Sequence, residues 1–140
     1  MDWITPQIAI GNFEDAKAVG TSPDCAVDSI LCLREDCCED RDDVDAYAVP
    51  LKDAAGNKSD EMADAMAFLH AAVQDGGKIL VHCHAGRSRS VCMVAAYLIV
   101  HHGYSRARAL ELIASKREIY LSTGIEEILQ WAERRAAGGR

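Results

Sequence analysis

The sequence predicts an α/β fold, a central and mostly parallel sheet flanked by helices in a single compact domain. Three observations predict it. Short apolar runs rich in β-branched residues alternate with segments of helical periodicity, the pattern of strands joined through helical crossovers. The last apolar run, residues 79–81, is followed by three helical segments and no further strand. The chain has 140 residues, 49% of them hydrophobic, enough for one core without metal or disulfide staples.

Residues 3–11, WITPQIAIG, read as one opening strand or a pair of short strands with a proline kink. Residues 12–19 follow as a short helix stopped by Gly20, and Thr21-Ser22-Pro23 is a turn. Residues 26–33, AVDSILCL, are a second strand, with Cys25 and Cys32 as core fillers. Residues 34–45, REDCCEDRDDVD, form an acidic surface loop. They lack the glycine turn and terminal glutamate of an EF-hand calcium loop, and an acidic setting does not activate the thiols of Cys37 and Cys38. Residues 46–51, AYAVPL, are a third strand that delivers Lys52-Asp53 and a glycine-containing loop over 54–58. Ser59 is the expected N-cap of the next helix, with Asp60 and Glu61 in its first turn. Met62, Met66, Leu69 and Val73 make one helical stripe that ends at Gly76; these methionines read as core packing.

Ile79, Leu80 and Val81 form a buried strand that ends at Cys83. After the loop, residues 91–100 contain no charge, glycine or proline, which suits a helix buried on most sides and too short to span a bilayer. Gly103 and Ser105 separate a helix over 106–116 whose Ala109, Leu110 and Ile113 point inward. Thr123 and Glu126 predict a capping box for a last helix through about Arg135, and residues 136–140 are expected to fray.

Composition narrows the function. Asp2, Pro6, Asn12 and Glu14 interrupt any N-terminal apolar stretch, so no signal peptide is expected and a cytoplasmic location is. Six cysteines without the spacing of a small secreted scaffold predict reduced thiols. A net charge of −7 argues against a general binder of nucleic acid or anionic membranes. The charge is uneven: residues 1–75 hold 17 acids and 5 bases, residues 76–140 hold 5 acids and 10 bases. The basic excess, Arg87, Arg89, Arg106, Arg108, Lys116 and Arg117, is expected to surround one loop; Arg106 and Arg108 fit a solvated helix face equally well, whereas Arg87 and Arg89 lie inside the loop.

That loop belongs to residues 78–90, KILVHCHAGRSRS. Backbone N–H groups between a strand and the first turn of a helix converge on a concavity at the positive end of the helix dipole, a natural oxyanion nest. Gly86 permits the tight turn, and Arg89 offers a planar fork of donors to two phosphate oxygens. The field that attracts phosphate also favours a thiolate, so Cys83 is the expected nucleophile at the rim of a phosphate cradle. A metal cluster of His82, Cys83 and His84 is disfavoured. Alternation along a strand would put the two histidines on one face and the cysteine on the other, and no second ligand pair follows at finger spacing. No cofactor is expected.

His82-Cys83, two residues, Gly86, two residues and Arg89-Ser90 resemble the HCxxGxxR[S/T] signature of the cysteine-dependent protein tyrosine phosphatases, and Ala85-Gly86 with Ser88-Arg89-Ser90 is most similar to the dual-specificity branch. The resemblance implies a protein-tyrosine-phosphatase-like fold and a phosphate-binding loop made of His84, Ala85, Gly86, Arg87, Ser88 and Arg89. It further implies Cys83 attacking phosphorus through a cysteinyl-phosphate intermediate, and His82 orienting the Cys83 backbone. The Ser90 hydroxyl is expected to stabilise the departing thiolate. In that family the opening segment begins the domain and carries no chemistry.

Transfer of a phosphoryl group to a thiolate leaves an oxyanion on the leaving group, which needs a proton from a carboxylic acid on a loop able to reach over the phosphate. Asp53 is the expected acid. It follows a strand end, and the V-P-L-x-D context of residues 49–53 is similar to the general-acid loop of the dual-specificity family. Asp60 and Asp64 on the next helix, and Asp43 and Asp45 in the acidic loop, are the competitors. One departure stands out: the family often carries an asparagine-containing turn where residues 118–124 read EIYLSTG.

The resemblance implies phosphorylated proteins as partners, carrying phosphotyrosine with phosphoserine or phosphothreonine. The run C-x-A-G-R-S-R-S followed by Met93 to Ile99 is also similar to mitochondrial-type phosphatases of phosphatidylglycerophosphate, so a small-molecule phosphomonoesterase or a lipid phosphatase of the phosphatidylglycerophosphate or phosphoinositide type is the alternative, with an anionic phospholipid headgroup as partner and Arg87 placed to bind a second anionic group. A phosphate-reading module without turnover is the third reading, which the joint presence of Cys83, Arg89 and Asp53 opposes.

Overall fold

The chain returns repeatedly to one sheet. The structure, a computed structural model, describes residues 1–34, 41 and 43–138. Its strands are β1 (Asp2–Trp3), β2 (Ile8–Gly11), β3 (Ser29–Cys32), β4 (Asp45–Ala48) and β5 (Ile79–His82), in the spatial order β1-β2-β5-β3-β4. β1 runs antiparallel to β2 and the other pairings are parallel. The expectation over residues 3–11 resolves into the pair of strands, β1 and β2. Most of the acidic loop, including Cys37 and Cys38, lies outside the described residues.

The helices are α1 (Phe13–Ala18), α2 (Ser59–Gln74), α3 (Arg89–His102), α4 (Arg106–Ala114) and α5 (Glu127–Gly138). α1 starts at a capping box in which Asn12 and Asp15 satisfy each other's backbone N–H groups. Strand alternation sorts the two faces of the sheet. Ile8, Ile10, Leu31, Ile79 and Val81 face the main core with α2 to α5, whereas Ala9, Ile30 and Leu80 pack with Ala16 and Val19 of the α1 segment. Every residue of α3 from Ser90 to Ile99 is buried, which explains its uncharged sequence. Gly103 ends α3 in the left-handed conformation at φ +71°.

Several boundaries differ from expectation. Lys58, not Ser59, occupies the N-cap position of α2; the Ser59 hydroxyl instead accepts from the Trp131 indole N–H at 3.2 Å. α5 begins at Glu127, residues 123–126 are turns, and the helix runs through Gly138 where fraying was expected. β4 is exposed at all four residues because it is a sheet edge. Cys25, Cys83 and Cys92 are free thiols, whereas Cys32 is disulfide-bonded, against the expectation of reduced cysteines throughout. Among the described residues, no helix is long and apolar enough to cross a membrane.

The register aligns Gly11 and Cys32 with His82, so the carboxyl ends of three adjacent parallel strands meet at one sheet edge. Open parallel sheets place their ligands there.

Candidate active site

β5 releases the chain at His82 beneath the start of α3. The Leu33 N–H donates to the His82 carbonyl at 2.9 Å and the Phe13 N–H to the His84 carbonyl at 3.1 Å. Both neighbouring strand ends thereby hold the first residues of the loop. His82 is buried, and its Nδ1 meets the Cys83 carbonyl at 3.3 Å. His84 is exposed and lies past the strand end, so the expected alternation of His82 and His84 on one strand face does not apply.

Cys83 is 3% exposed and its Sγ lies 3.2 Å from Ser90 Oγ. The contact exists because α3 begins at Arg89, two residues before the uncharged run, which puts Ser90 on the first turn facing back to the strand end. Gly86 adopts φ +69°, and a Cβ there would stand 2.5 Å from the Gly11 carbonyl oxygen. Glycine is required twice over, for the dihedral and for the close approach.

Two further anchors come from sequence that carried no signature. Arg117 donates from Nη1 to the Ile10 carbonyl at 2.7 Å and to Asp2 at 3.0 Å, and from Nη2 to the Ala85 carbonyl at 3.4 Å. Residues 118–124 supply the other: the Tyr120 N–H donates to the Arg87 carbonyl at 2.9 Å and the Ser122 N–H to Ser88 Oγ at 3.0 Å. The stretch without the asparagine therefore supports the loop through main-chain donors. The carbonyls of His84, Ala85 and Arg87 are all engaged by groups outside the loop.

The Arg89 guanidinium donates to the Leu51 carbonyl at 3.2 Å and the Leu33 carbonyl at 3.5 Å, and its Nε is buried with no hydrogen-bond partner among the described residues. Leu51 closes the third predicted strand segment, so the backbone that positions Arg89 also leads to Asp53. The turn after it is built by Asn57, whose Oδ1 accepts from the Lys52 N–H at 2.7 Å and whose Nδ2 donates to the Lys52 and Ala54 carbonyls. Glu127 of α5 accepts from the Gly56 N–H at 3.0 Å. Asp53 Oδ2 accepts from Ser122 Oγ at 2.7 Å.

Cys83, Arg89 and Asp53 line one cavity of about 430 Å³. The loop contributes His84, Ala85, Arg87 and Ser88, and residues 118–124 contribute Tyr120 and Ser122. The competing acids are elsewhere: Asp60 accepts from the Glu61 N–H at the start of α2, Asp64 accepts from the Tyr47 hydroxyl, and Asp43 pairs with Arg41. Asp45 lies on exposed β4. Arg106 pairs with Glu133 and Arg108 lies over the Tyr104 ring, so these two are helix-face residues. Arg87 is half exposed, with Nη1 3.9 Å from Glu118. Cys92, one turn along α3, has its thiol pushed up to about 12 by burial, with Asp53 and Glu126 adding to the effect. It is an inert core thiol.

Sequence reasoning missed Tyr120, Ser122 and Asn57 as parts of the site, and it placed Arg117 in the basic surround of the loop without a partner. Arg117 was visible as a member of the basic half, and Ser122 lies in the stretch that departs from the asparagine turn. Neither signal specifies a partner.

Comparison with known proteins agrees with the geometry. The curated relatives include dual specificity protein phosphatase 22 of Xenopus tropicalis, 30% identical over 118 residues that cover 84% of this chain and 56% of the relative. Dual specificity protein phosphatase 1B of Arabidopsis thaliana is 43% identical over 72 residues, 51% of this chain and 43% of the relative. The chain thus matches about half the length of these relatives. Among solved structures, a mouse putative dual specificity phosphatase complexed with zinc tungstate superposes with TM-score 0.84 at 29% identity, covering 99% of this chain and 89% of that one. Human DUSP28 gives 0.85 at 24% identity with full coverage of both chains. The family model of the dual specificity phosphatase catalytic domain matches residues 10–134, from within β2 into α5, and the chain belongs to that family.

Proposed function

We propose that the protein is a cysteine-dependent phosphomonoester hydrolase acting on phosphorylated proteins, with phosphotyrosine and phosphoserine or phosphothreonine as its substrates. The carrying observation is that one cavity joins Cys83, Arg89 and Asp53, although Asp53 is 30 residues from the loop. The mouse relative in complex with zinc tungstate supports a tetrahedral oxyanion as the ligand class.

The loop amides and the Arg89 guanidinium, which lines the cavity, are the donors available to the equatorial phosphate oxygens. Cys83 Sγ attacks phosphorus in line, forming the S–P bond as the P–O bond to the leaving group breaks. Asp53 gives its proton to that oxygen. Water then attacks the cysteinyl-phosphate while Asp53 takes its proton, the S–P bond breaks, and inorganic phosphate leaves. The electron pair returns to Sγ, where the Ser90 hydroxyl at 3.2 Å stabilises it. The loop amides, the α3 dipole and Arg89 supply the positive charge that the transferring group requires.

The test is hydrolysis of p-nitrophenyl phosphate without added metal. Cys83→Ser is expected to abolish turnover while still retaining substrate; turnover that persists in this variant would sink the mechanism. The same variant, offered phosphopeptides against phosphatidylglycerophosphate and phosphoinositides, separates the protein reading from the lipid one. Retention of the lipids alone would reassign the substrate and leave the chemistry intact.

A further inference from the structure

We infer that Ser122 is a positioning residue for leaving-group protonation, holding Oδ2 of Asp53 so that Oδ1 carries the proton that is transferred. The inference deepens the reading of Asp53 as the acid and rests on it.

A carboxylic acid has two oxygens, and one of them must present its proton to the substrate. In this structure the choice is made by the neighbouring hydroxyl: Ser122 Oγ lies 2.7 Å from Asp53 Oδ2, and among the described residues it is the hydrogen-bond donor to that carboxylate. The turn that carries Asp53 is held by Asn57 through backbone groups and by Glu127 through the Gly56 N–H. These contacts fix the turn's path and leave the rotation of the Asp53 side chain free; Ser122 supplies the missing constraint.

Ser122 is itself anchored to the other catalytic loop. Its backbone N–H donates to Ser88 Oγ at 3.0 Å, so one residue is tied by its main chain to the phosphate-binding loop and by its side chain to the acid. Distance between nucleophile and acid is therefore set through a two-bond bridge. The bridge also strengthens as the reaction proceeds. While Asp53 is protonated on Oδ1, the Ser122 hydroxyl donates to a neutral carbonyl-type oxygen. When the proton leaves for the substrate, that oxygen shares a full negative charge and the bond becomes charge-assisted. An interaction stronger after transfer than before it lowers the barrier to transfer, and the same bond holds the carboxylate in place when it serves as base toward water.

The prediction concerns sensitivity to the leaving group. Ser122→Ala removes the hydroxyl and keeps the main-chain bond to Ser88. The ratio of kcat/KM for p-nitrophenyl phosphate, a good leaving group, to that for phenyl phosphate, a poor one, is expected to rise by roughly tenfold to a hundredfold, the worth of a hydrogen bond to a charged group. Ser122→Thr, which restores a hydroxyl, is expected to bring the ratio back toward that of the unaltered protein. In an Asp53→Asn background, Ser122→Ala is expected to change the ratio no further.

A purely structural role predicts equal losses for both substrates, no rescue by threonine, and an additional loss in the double variant; any of these overturns the inference. The two layers fail separately. If Asp53→Asn raises the ratio and Ser122→Ala does not, the role of Ser122 falls and the acid stands. If Asp53→Asn leaves the ratio unchanged, the acid lies elsewhere and both fall.

Discussion

Cys83 is an ordinary side chain in a costly surrounding, and the cost falls on Gly86. At φ +69°, with the Gly11 carbonyl 2.5 Å from where a Cβ would stand, any other residue must move the loop or the end of β2. Gly86→Ala is expected to lower stability by about 1–3 kcal/mol and to depress kcat/KM for p-nitrophenyl phosphate more than tenfold; a urea denaturation curve with parallel kinetics measures both. Residues whose role depends on local geometry were legible in the sequence: Cys83, Gly86 and Arg89 sit in one nine-residue window, and Asp53 follows a strand that had to end near them. Arg117 and Ser122 were not legible in that way. Their partners Asp2, Ile10, Ala85 and Asp53 are distant along the chain, and a lone arginine or serine carries no periodicity to announce such a contact. Ser59 shows the converse. Its local context reads as a cap, but the structure gives its hydroxyl to Trp131.

At the scale of elements, α3 does two things with one sequence. Its first turn carries Arg89 and Ser90 to the cavity, and its remaining length is packed on every side from Val91 to Ile99. A helix end can hold a loop steady only if the helix itself cannot shift, and close packing provides that rigidity. Leu98→Ala, at a fully buried position, is expected to cost about 2–5 kcal/mol, read as a lower urea midpoint. The existence of β2 to β5 and α1 to α5 was legible because hydrophobic period and glycine breaks agree along the chain, whereas the opening residues read as one strand or two and the short 3-10 turn at Pro23–Cys25 read only as a turn. Boundaries were less so. α3 starts two residues early because the loop folds directly into its first turn, and α5 starts late because residues 123–126 form turns next to Ser122, which reaches Asp53 and Ser88.

For the molecule as a whole, the unequal distribution of charge gives the acidic protein a basic half of the sequence that contains the loop over residues 82–90, while the histidine cluster lies on α2 and α3. There His70 and His101 stack with ring centroids 3.9 Å apart, and the Tyr97 hydroxyl lies 3.2 Å from His70 Nδ1. Partial desolvation of the exposed His101 lowers its pKa below the ordinary 6.5, with His70, His102 and Arg135 adding like charge. A histidine depressed in the folded state takes up its proton more readily when unfolded, so its contribution is present above pH 6.5 and is lost as pH falls through the folded value. His101→Gln is expected to flatten the decline of the urea midpoint on acidification below that pH; an unaltered decline would place the sensitivity on other groups. The anchoring of the loop has a consequence for protein engineering. Because Gly86 fits against the Gly11 carbonyl and Arg117 clasps Ile10 together with Ala85, residues 82–90 are not a portable cassette. Grafted onto another parallel sheet, they would need a bare strand end and a clasping guanidinium supplied with them, so the smallest transplantable catalyst includes the opening hairpin that holds no catalytic side chain.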